Sequence, residues 1–331
     1  MPIRHLALLL AALLLVTAAR ADAASHDVRY ANGNIILAAE LMLSDGNGPH
    51  PAVVIAQGSG DSDRSNGWAR AIAQIFRDSG LAVLLTDKRG SGASGGDWRE
   101  AAFTELAGDV GAGAVYLRTR RDIDPARVGV AGLSQGGKYA PLVAVSDAHI
   151  AFVVSISADA VTYGEQAFHE MTNMARERAM PDAAVDGGVR FAAAAARYAV
   201  SGDWAPYAAE RAAAVGQPWE GFLEAFPASA DDSKWTFWRV NGSFDPMVYW
   251  PIVRPPALIL LGADDERQNV AVAETVRRLD FGFAQARKTD QRVVVLPGVG
   301  HDVGVMAGNT AASAAIDDFL RAYGLCACPP R

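Results

Sequence analysis

Short apolar runs alternate along this chain with helix-length amphipathic segments, and this alternation limits the folds available to it. Six runs rich in Val, Ile and Leu have the character of buried strands: 52–56, 82–86, 128–131, 151–156, 257–261 and 293–296. Their nearly continuous apolar sequence favours parallel strands covered on both faces. The helix-length segments between and after them include 68–79, 103–120, 137–146, 270–281 and 310–323. This order predicts a mostly parallel, doubly wound α/β sheet.

Two features surround this central pattern. Segments 28–32 and 35–43 are joined by the turn signal Asn32-Gly33-Asn34, which predicts an antiparallel pair of strands before the parallel sheet. From 161 to 250 no convincing buried strand occurs, and the sequence is Ala-rich, helical and aromatic. We predict a helical cap insertion there, between two parts of the core at 24–160 and 251–325. Its aromatic residues could line a substrate cavity, but a small core of the insertion itself is favoured because aromatic side chains bury large areas.

The two ends of the chain are predicted to lie outside the fold. Arg4 precedes an apolar run over 6–16, and Ala-x-Ala sites follow at 19–21 and 21–23. The run is short for roughly 30 Å of hydrocarbon, so residues 1–23 indicate a cleaved signal peptide and a periplasmic or secreted protein without a stable membrane anchor. An uncleaved anchor is the alternative. In the tail, 326–331, Cys326 and Cys328 are too close together to staple a core and too few for a metal cage.

Composition excludes several classes of function. Half of the 331 residues are hydrophobic, which suits a globular chain with a sizeable core. The chain has 30 Lys and Arg against 37 Asp and Glu, a formal net charge of −7, and no long basic block. A nucleic-acid partner is therefore disfavoured. No group of His, Cys, Asp and Glu has the spacing of metal ligands, and neither a metal nor another cofactor is expected.

The strongest chemical signal is G-x-S-x-G at Gly132-Leu133-Ser134-Gln135-Gly136, between a predicted strand and a predicted helix. A nucleophile at the tip of such a turn has strained backbone, and its glycine neighbours must lack Cβ for the turn to close. This geometry would expose Ser134 at the carboxyl end of the sheet. It would also direct the Gln135 amide toward the same space, beside the positive end of the helix.

A serine nucleophile needs a base, and a histidine base needs a carboxylate to orient it. Among the six histidines, His301 lies in a glycine-rich loop just beyond the last predicted strand, which makes it the predicted base. The carboxylate should follow the preceding strand, where Asp265 is favoured over Asp264. Asp159, after another strand, is a third option. The order Ser, Asp, His is the one expected for a serine on such a strand-to-helix turn.

A second oxyanion donor is expected after the first parallel strand. The loop Gln57-Gly58-Ser59-Gly60 supplies small residues whose backbone could approach a substrate oxygen. We predict the Ser59 amide as the donor, with Gly60 as the alternative. Together with the Gln135 amide it would form an oxyanion hole.

Two nucleotide-binding patterns are also present but lack their usual context. The segment 90–95 matches G-x-G-x-x-G, yet Asp87-Lys88-Arg89 separates it from the strand and no helix follows at once. The segment 132–138 matches the start of a phosphate-binding loop, but Tyr139 stands where a Ser or Thr is required. Neither pattern predicts a nucleotide site.

These motifs resemble those of the α/β-hydrolase superfamily, and more narrowly of exported bacterial hydrolases related to serine aminopeptidases and prolyl-oligopeptidase-like esterases. The segments that carry the resemblance are 57–60, 87–96, 132–137 and 300–302. The resemblance implies the α/β-hydrolase fold, with Ser134 as nucleophile, His301 as base and Asp265 as the acid three residues after Gly262. The first loop usually begins His-Gly, whereas here it begins Gln57-Gly58.

The expected activity is hydrolysis of carboxylic esters of a small-molecule acyl substrate through an acyl-enzyme on Ser134. A peptidase or amidase could use the same residues if the insertion supplied a site for a charged terminus, for example at Glu165, Glu170 or Glu177. Acyl transfer and thioester hydrolysis remain open, because they depend on how the insertion excludes water. A binding protein that keeps the fold without catalysis is the remaining alternative.

Overall fold

A single eight-stranded sheet forms the centre of the computed structural model, which describes residues 25–326. The strands in chain order are β1 (Ser25–Asn32), β2 (Ile35–Met42), β3 (His50–Ala56), β4 (Ala82–Thr86), β5 (Ile123–Leu133), β6 (Val153–Ile156), β7 (Ala257–Gly262) and β8 (Gln291–Leu296). Their order across the sheet is β1-β2-β4-β3-β5-β6-β7-β8. β1 and β2 pair antiparallel, β2 is antiparallel to β4, and the remaining pairs are parallel.

Five helices cover the two faces of this sheet. They are α1 (Gly67–Asp78), α2 (Phe103–Arg118), α3 (Gln135–Ser146), α8 (Val272–Gln285) and α9 (Ala311–Ala322). Side chains alternate along a strand, so Ala52 and Val54 of β3 face a core shared with α2, α3 and α8, whereas Val53 and Ile55 face one shared with α1 and α9. The predicted α/β class and mostly parallel, doubly wound sheet are confirmed.

Four further helices lie between β6 and β7: α4 (Tyr163–Glu177), α5 (Asp182–Ser201), α6 (Trp204–Ala214) and α7 (Lys234–Asn241). They enclose a core of their own, whose aromatic members include Phe191, Tyr198, Tyr207, Phe222, Phe226 and Trp235. Most of the aromatic cluster therefore packs within the insertion. Trp238 packs against this core and also lines a cavity beside Ser134.

The first of these helices, α4, has a clear local cause. The Thr162 hydroxyl accepts a hydrogen bond from the Glu165 amide, and the Glu165 carboxylate accepts one from the Thr162 amide. This reciprocal pair is a capping box, which satisfies two amides that the first turn would otherwise leave without partners. Helix α4 runs from this cap over the carboxyl ends of the strands, and it contributes Glu170 to the Ser134 cavity.

The predicted chain ends lie largely outside the described residues. This part includes residues 1–23, for which a signal peptide is predicted, and the cysteine at position 328. The signal peptide and the role of the cysteine pair therefore stay predictions. Between residues 25 and 326, none of the helices combines the length and apolar character that a membrane span needs.

Candidate active site

Ser134 occupies a sharp turn between β5 and α3. Its φ of 50° lies in the left-handed region, which non-glycine residues rarely adopt. Hydrogen bonds hold this conformation: the Ser134 amide donates to the Ile156 carbonyl of β6 at 2.8 Å, and the Gly137 amide donates to the Ser134 carbonyl at 2.9 Å. Such strained, over-determined backbone occurs mainly at functional sites. The turn presents Ser134 at the carboxyl edge of the sheet.

The flanking glycines are required by close backbone contacts. A Cβ at Gly132 would lie 2.3 Å from the Gly136 carbonyl oxygen, and a Cβ at Gly136 would lie 2.3 Å from the Ala56 carbonyl oxygen. The second contact joins the Ser134 turn to the end of β3, where the predicted oxyanion loop begins. The two segments therefore pack backbone against backbone.

The structure brings His301 and Asp265 together. The His301 Nδ1 lies 2.6 Å from Asp265 Oδ2, and Asp265 is completely buried. The second carboxylate oxygen of Asp265 accepts a hydrogen bond from the Asn269 amide at 3.2 Å. Trp68 packs against the imidazole with its ring centroid 5.3 Å away. The Asp265 hydrogen bond and the Trp68 ring thus fix the orientation of the imidazole. Because Nδ1 is bonded to Asp265, Nε2 is the ring nitrogen available to a substrate.

The two other carboxylates considered from sequence lie elsewhere. Asp264 is half-exposed and pairs with Arg267 at 3.2 Å. Asp159 is buried and forms an ion pair with buried Lys138. Burial raises the pKa of Asp159, and the Lys138 ammonium opposes this rise. Neither carboxylate forms an ion pair with His301 in the part of the chain that the structure describes.

A backbone contact at Gly262 explains why Asp265 and His301 meet. A Cβ at Gly262 would lie 2.2 Å from the Gly300 carbonyl oxygen and 2.5 Å from the Val299 carbonyl oxygen. The Asp264 amide also donates to the Val299 carbonyl at 3.0 Å. The loops after β7 and β8 are therefore joined directly, and this contact brings the acid loop and the histidine loop together.

We expect Gly262→Ala to lower the free energy of unfolding by about 1–3 kcal/mol, because the obstructing atoms belong to backbone and must move to admit the methyl group. Urea denaturation of the variant measures this loss. Gly111→Ala is the matched control, since a Cβ at Gly111 of α2 meets no atom within 4 Å. The control should gain roughly 0.5–1 kcal/mol from its better helix propensity. Equal stability of Gly262→Ala and the unaltered chain would contradict the packing argument.

The loop after β3 is held by the glutamine that replaces the usual histidine. Gln57 is buried, and its Nε2 donates to the Thr86 carbonyl at 2.8 Å and to the Asp63 carbonyl at 3.1 Å. Its Oε1 accepts a hydrogen bond from the Ser62 hydroxyl at 3.0 Å. The departure from His-Gly therefore leaves a fully bonded side chain at the base of the loop.

A cavity of about 120 Å³ lies above Ser134. Its lining brings together Ser59, Ser134 and Gln135 with the cap residues Tyr163, Gln166, Ala167, Glu170 and Trp238. Both residues predicted to supply oxyanion amides thus border the space that Ser134 faces. Gly60, the alternative donor, is not part of this lining.

Glu170 links this cavity to a wider cleft of about 1000 Å³, which α4 and residues 264–269 border. Burial raises the pKa of Glu170, and the charge of Asp159 raises it further, whereas its hydrogen bond from Gln166 and the charge of His301 lower it. Glu165 instead pairs with Arg278 at 2.7 Å, and Glu177 lines only the wider cleft. Of the three glutamates considered from sequence, only Glu170 borders the Ser134 cavity.

Ser134 and His301 are on the same edge of the sheet but are not hydrogen-bonded to each other within residues 25–326. Hydrogen bonds between a nucleophile and its base are often long in unliganded enzymes and shorten when substrate binds. Proton transfer between Ser134 and His301 therefore requires the two side chains to approach each other when substrate binds.

The most consequential residue that the sequence analysis passed over is Lys88. It is buried, and its Nζ donates to carbonyls of the oxyanion loop and to the Gln135 side chain. Lysines are seldom buried, so sequence alone indicates a surface residue. The capping box at Thr162 and Glu165 was the available signal for α4, and with it for the cap residues above Ser134.

Comparisons with known proteins agree with this architecture. A family model described as "Alpha/beta hydrolase family" matches residues 53–315. Thiohydrolase aneE from Aspergillus aculeatus is 32% identical over 122 residues, which cover 36% of this chain and 37% of that protein. The alignment thus spans little more than a third of that relative.

Solved structures show the same fold at low identity. The Pyrococcus furiosus esterase Pf2001 has a TM-score of 0.61 at 16% identity, covering 91% of each chain. The alpha/beta hydrolase GrgF from Penicillium sp. sh18 has a TM-score of 0.60 at 19% identity, covering 91% of this chain and 99% of that one. Proline iminopeptidase from Mycobacterium smegmatis has a TM-score of 0.58 at 18% identity, with the same coverage of 91% and 99%. At these identities the likeness concerns the fold.

Proposed function

Because the chain belongs to the α/β hydrolase family, we propose that it is a serine hydrolase that cleaves carboxylic esters through an acyl-enzyme on Ser134. The observation that carries the proposal is the buried Asp265 carboxylate 2.6 Å from His301 Nδ1, at the sheet edge where Ser134 stands on its strained turn. An oriented imidazole and a partly exposed hydroxyl at one edge are the parts that acyl transfer requires.

The reaction proceeds in two halves. His301 Nε2 removes the hydroxyl proton as Ser134 Oγ bonds to the ester carbonyl carbon, and the carbonyl electrons move onto oxygen. When the tetrahedral intermediate collapses, the bond to the leaving oxygen breaks and His301 returns the proton to the alcohol. Water then attacks the acyl-enzyme in the same way, releasing the acid and restoring Ser134. The Asp265 carboxylate stabilises the imidazolium in both halves.

The negative charge on the carbonyl oxygen needs hydrogen-bond donors fixed in advance. We assign this role to the amides of Ser59 and Gln135, both of which border the Ser134 cavity. The Gln135 amide also begins α3, where the helix dipole favours a developing anion. Removing one such donor from an enzyme typically costs about 10²- to 10³-fold in turnover.

Cavity size supports a short acyl group. The space above Ser134 is about 120 Å³, whereas a cavity of roughly 150 Å³ accommodates benzene. By proportion, an acyl group of about five heavy atoms, such as butyryl, fits without displacing the cap. The wider cleft that Glu170 borders would then receive the leaving group.

Thioesters are a second substrate class for the same residues. The partial match to a fungal protein named a thiohydrolase supports including them. The chemistry differs only in the leaving atom, since sulfur replaces oxygen and needs less assistance from the protonated His301. Peptide bonds need more assistance, because the amine must be protonated as it leaves.

A substrate panel tests the proposal. We expect p-nitrophenyl acetate and butyrate to be hydrolysed with kcat/KM at least about tenfold higher than p-nitrophenyl octanoate, because an eight-carbon chain exceeds the cavity. The matched thioesters should be hydrolysed as well. Leucine and proline p-nitroanilides should be poor substrates.

Two results of the panel would contradict parts of this proposal. Preference for an aminoacyl p-nitroanilide over every ester would make the protein a peptidase and would give Glu170 the role of holding the amine. A rate that rises steadily with acyl length would mean that the cavity above Ser134 does not hold the acyl group. Enlarging the cavity with Trp238→Ala serves as the control, and it should improve the octanoate ester selectively.

A further inference from the structure

A buried lysine lies directly behind the two backbone segments that carry the proposed oxyanion donors. The Lys88 Nζ donates to the Gly58 carbonyl at 3.0 Å, to the Gly60 carbonyl at 3.3 Å and to Gln135 Oε1 at 2.6 Å. A lysine ammonium has three donors, so all of them are used. One side chain thus bonds to the loop after β3 and to the first residue of α3 at the same time.

The first of these bonds determines the direction of the Ser59 amide. The Gly58 carbonyl and the Ser59 N–H belong to the same trans peptide, in which the two groups point in opposite directions. A carbonyl held toward Lys88 therefore turns the Ser59 N–H away from Lys88, toward the cavity that Ser59 shares with Ser134. The bond to Gly60 fixes the next carbonyl but one, so the loop is held on both sides of Ser59.

The third bond holds the other donor. Gln135 is buried, and its side-chain oxygen is the nearest of the three Lys88 acceptors, at 2.6 Å. Its backbone N–H is the second proposed oxyanion donor. A fixed side chain restricts the rotation of this residue relative to the loop. The distance between the two oxyanion amides therefore depends on Lys88.

Lys88 is itself held firmly. Its amide donates to the Ser62 carbonyl at 3.0 Å, and the neighbouring Asp87 carboxylate accepts two hydrogen bonds from the Arg64 guanidinium, each at 3.0 Å. The Trp98 ring covers the ammonium, with its centroid 4.6 Å from Nζ. Because the backbone and the ammonium of Lys88 are both restrained, the hydrogen bonds from Nζ fix the positions of the groups that accept them.

We propose that Lys88 is a positioning residue that sets the spacing and direction of the Ser59 and Gln135 amides. This inference rests on the proposed function, since those amides matter only if Ser134 forms a tetrahedral intermediate. Lys88 does not touch the reacting atoms. It acts through the two peptides, and its positive charge behind them also strengthens their N–H dipoles.

The same arrangement makes the site sensitive to pH near neutrality. Burial lowers the pKa of Lys88 to about 7, the charge of Arg99 lowers it further, and the charge of Asp61 opposes the change. The ammonium is therefore the main form below pH 7 and the amine above it. The amine has only two N–H donors for three acceptors. Activity that depends on the ammonium should fall as the pH rises through 7.

Labelling of Ser134 by a fluorophosphonate separates positioning from folding, because its rate and its end point can be measured independently. We expect Lys88→Met to slow the labelling rate constant and kcat by about 10- to 100-fold, since misplaced groups at a reacting centre cost rates of that order. The end point should remain one label per chain, and KM should change little. A merely structural role would instead reduce the labelled fraction and leave the rate constant of the folded molecules unchanged.

Two further variants complete the experiment. Lys288→Met is the matched control, because Lys288 also donates to a backbone carbonyl, that of Val253 at 2.6 Å, but lies outside the site. It should label at the wild-type rate. If Lys88→Met does not fold, Gln135→Met is tested in its place. It removes the Lys88 hydrogen bond to the side-chain oxygen of residue 135 and keeps the backbone N–H that is the proposed oxyanion donor. It should slow labelling by about threefold or more, and an unchanged rate would overturn the proposal.

The outcomes distinguish this inference from the proposed function. Failure of the wild-type protein to label and to hydrolyse esters would remove the nucleophile, and with it both proposals. Normal labelling of the wild type together with an equal rate constant in Lys88→Met would overturn the positioning role alone. The decline of the wild-type labelling rate above pH 7 should be absent from Lys88→Met, and an identical decline in both would also count against it.

Discussion

Replacing Ser134 with alanine should reduce kcat for p-nitrophenyl butyrate by about 10⁴- to 10⁶-fold, as expected when a serine nucleophile is removed. The acyl-enzyme cannot form without the hydroxyl oxygen, whereas the cavity, the amides and His301 remain. Labelling by a fluorophosphonate should disappear from the variant, and mass spectrometry of the wild-type protein should find the label on the peptide containing Ser134. Stopped assays with high enzyme concentration measure the residual rate.

The same change should hardly affect folding. The Ser134 hydroxyl has no hydrogen-bond partner among residues 25–326, so removing it leaves no orphaned group, and the free energy of unfolding should stay within about 1 kcal/mol. Ser313→Ala is a suitable control, because the Ser313 hydroxyl donates to the Thr310 carbonyl at 2.8 Å within α9 and does not line the Ser134 cavity. It should keep full activity. Near-normal ester hydrolysis by Ser134→Ala would refute the assignment of the nucleophile.

The sheet could be predicted because its strands carry their own signature. β3, β4 and β7 are buried along their whole length, and a strand buried on both faces is an unbroken apolar run. β5 begins at Ile123, five residues before the predicted start at 128. The prediction missed this first part because Pro125 and Ala126 are exposed there and the sequence has no continuous apolar run. Helix α4 has mixed polar and apolar residues, and the capping box at its start is the one specific signal that its sequence offers.

The pieces of the site could be predicted from their positions after strands. Parallel strands end at one edge, so residues that follow β5, β7 and β8 must lie near one another. Sequence favours Asp265 over Asp264, but only coordinates show which of the two adjacent carboxylates turns inward and contacts the imidazole. Sequence contains Gly262, but it does not show that the Val299 and Gly300 carbonyls lie against this glycine and join the two loops.

Lys88 shows what sequence reasoning could not reach. Its three acceptors are 28, 30 and 47 residues away in the chain, and two of them are backbone carbonyls whose identity carries no signal. A buried lysine is recognised by its surroundings and not by its neighbours in sequence. The same holds for Gln57, whose three hydrogen bonds replace whatever the more usual histidine would form at the base of the loop.

Replacing Asp265 with asparagine should lower kcat by about 10³- to 10⁴-fold with little change in KM. The carboxylate accepts a hydrogen bond from His301 Nδ1–H at 2.6 Å, which keeps the proton on Nδ1 and leaves Nε2 free to act as the base. An asparagine amide could donate to Nδ1 instead, and the ring would then carry its proton on Nε2 and could not accept one from Ser134. The volume of the side chain is unchanged, so the structure around it should survive. Steady-state kinetics on the short-chain ester measure the loss.

Asp264→Asn is the control that the chain itself offers, one residue away. Asp264 is half-exposed and pairs with Arg267 at its surface, so its neutralisation should change kcat by less than about threefold. The contrast between the two variants depends only on which carboxylate touches the imidazole. If Asp264→Asn were the more damaged enzyme, the histidine would have to turn to the other acid during catalysis, and the assignment of Asp265 would fall while that of Ser134 stood.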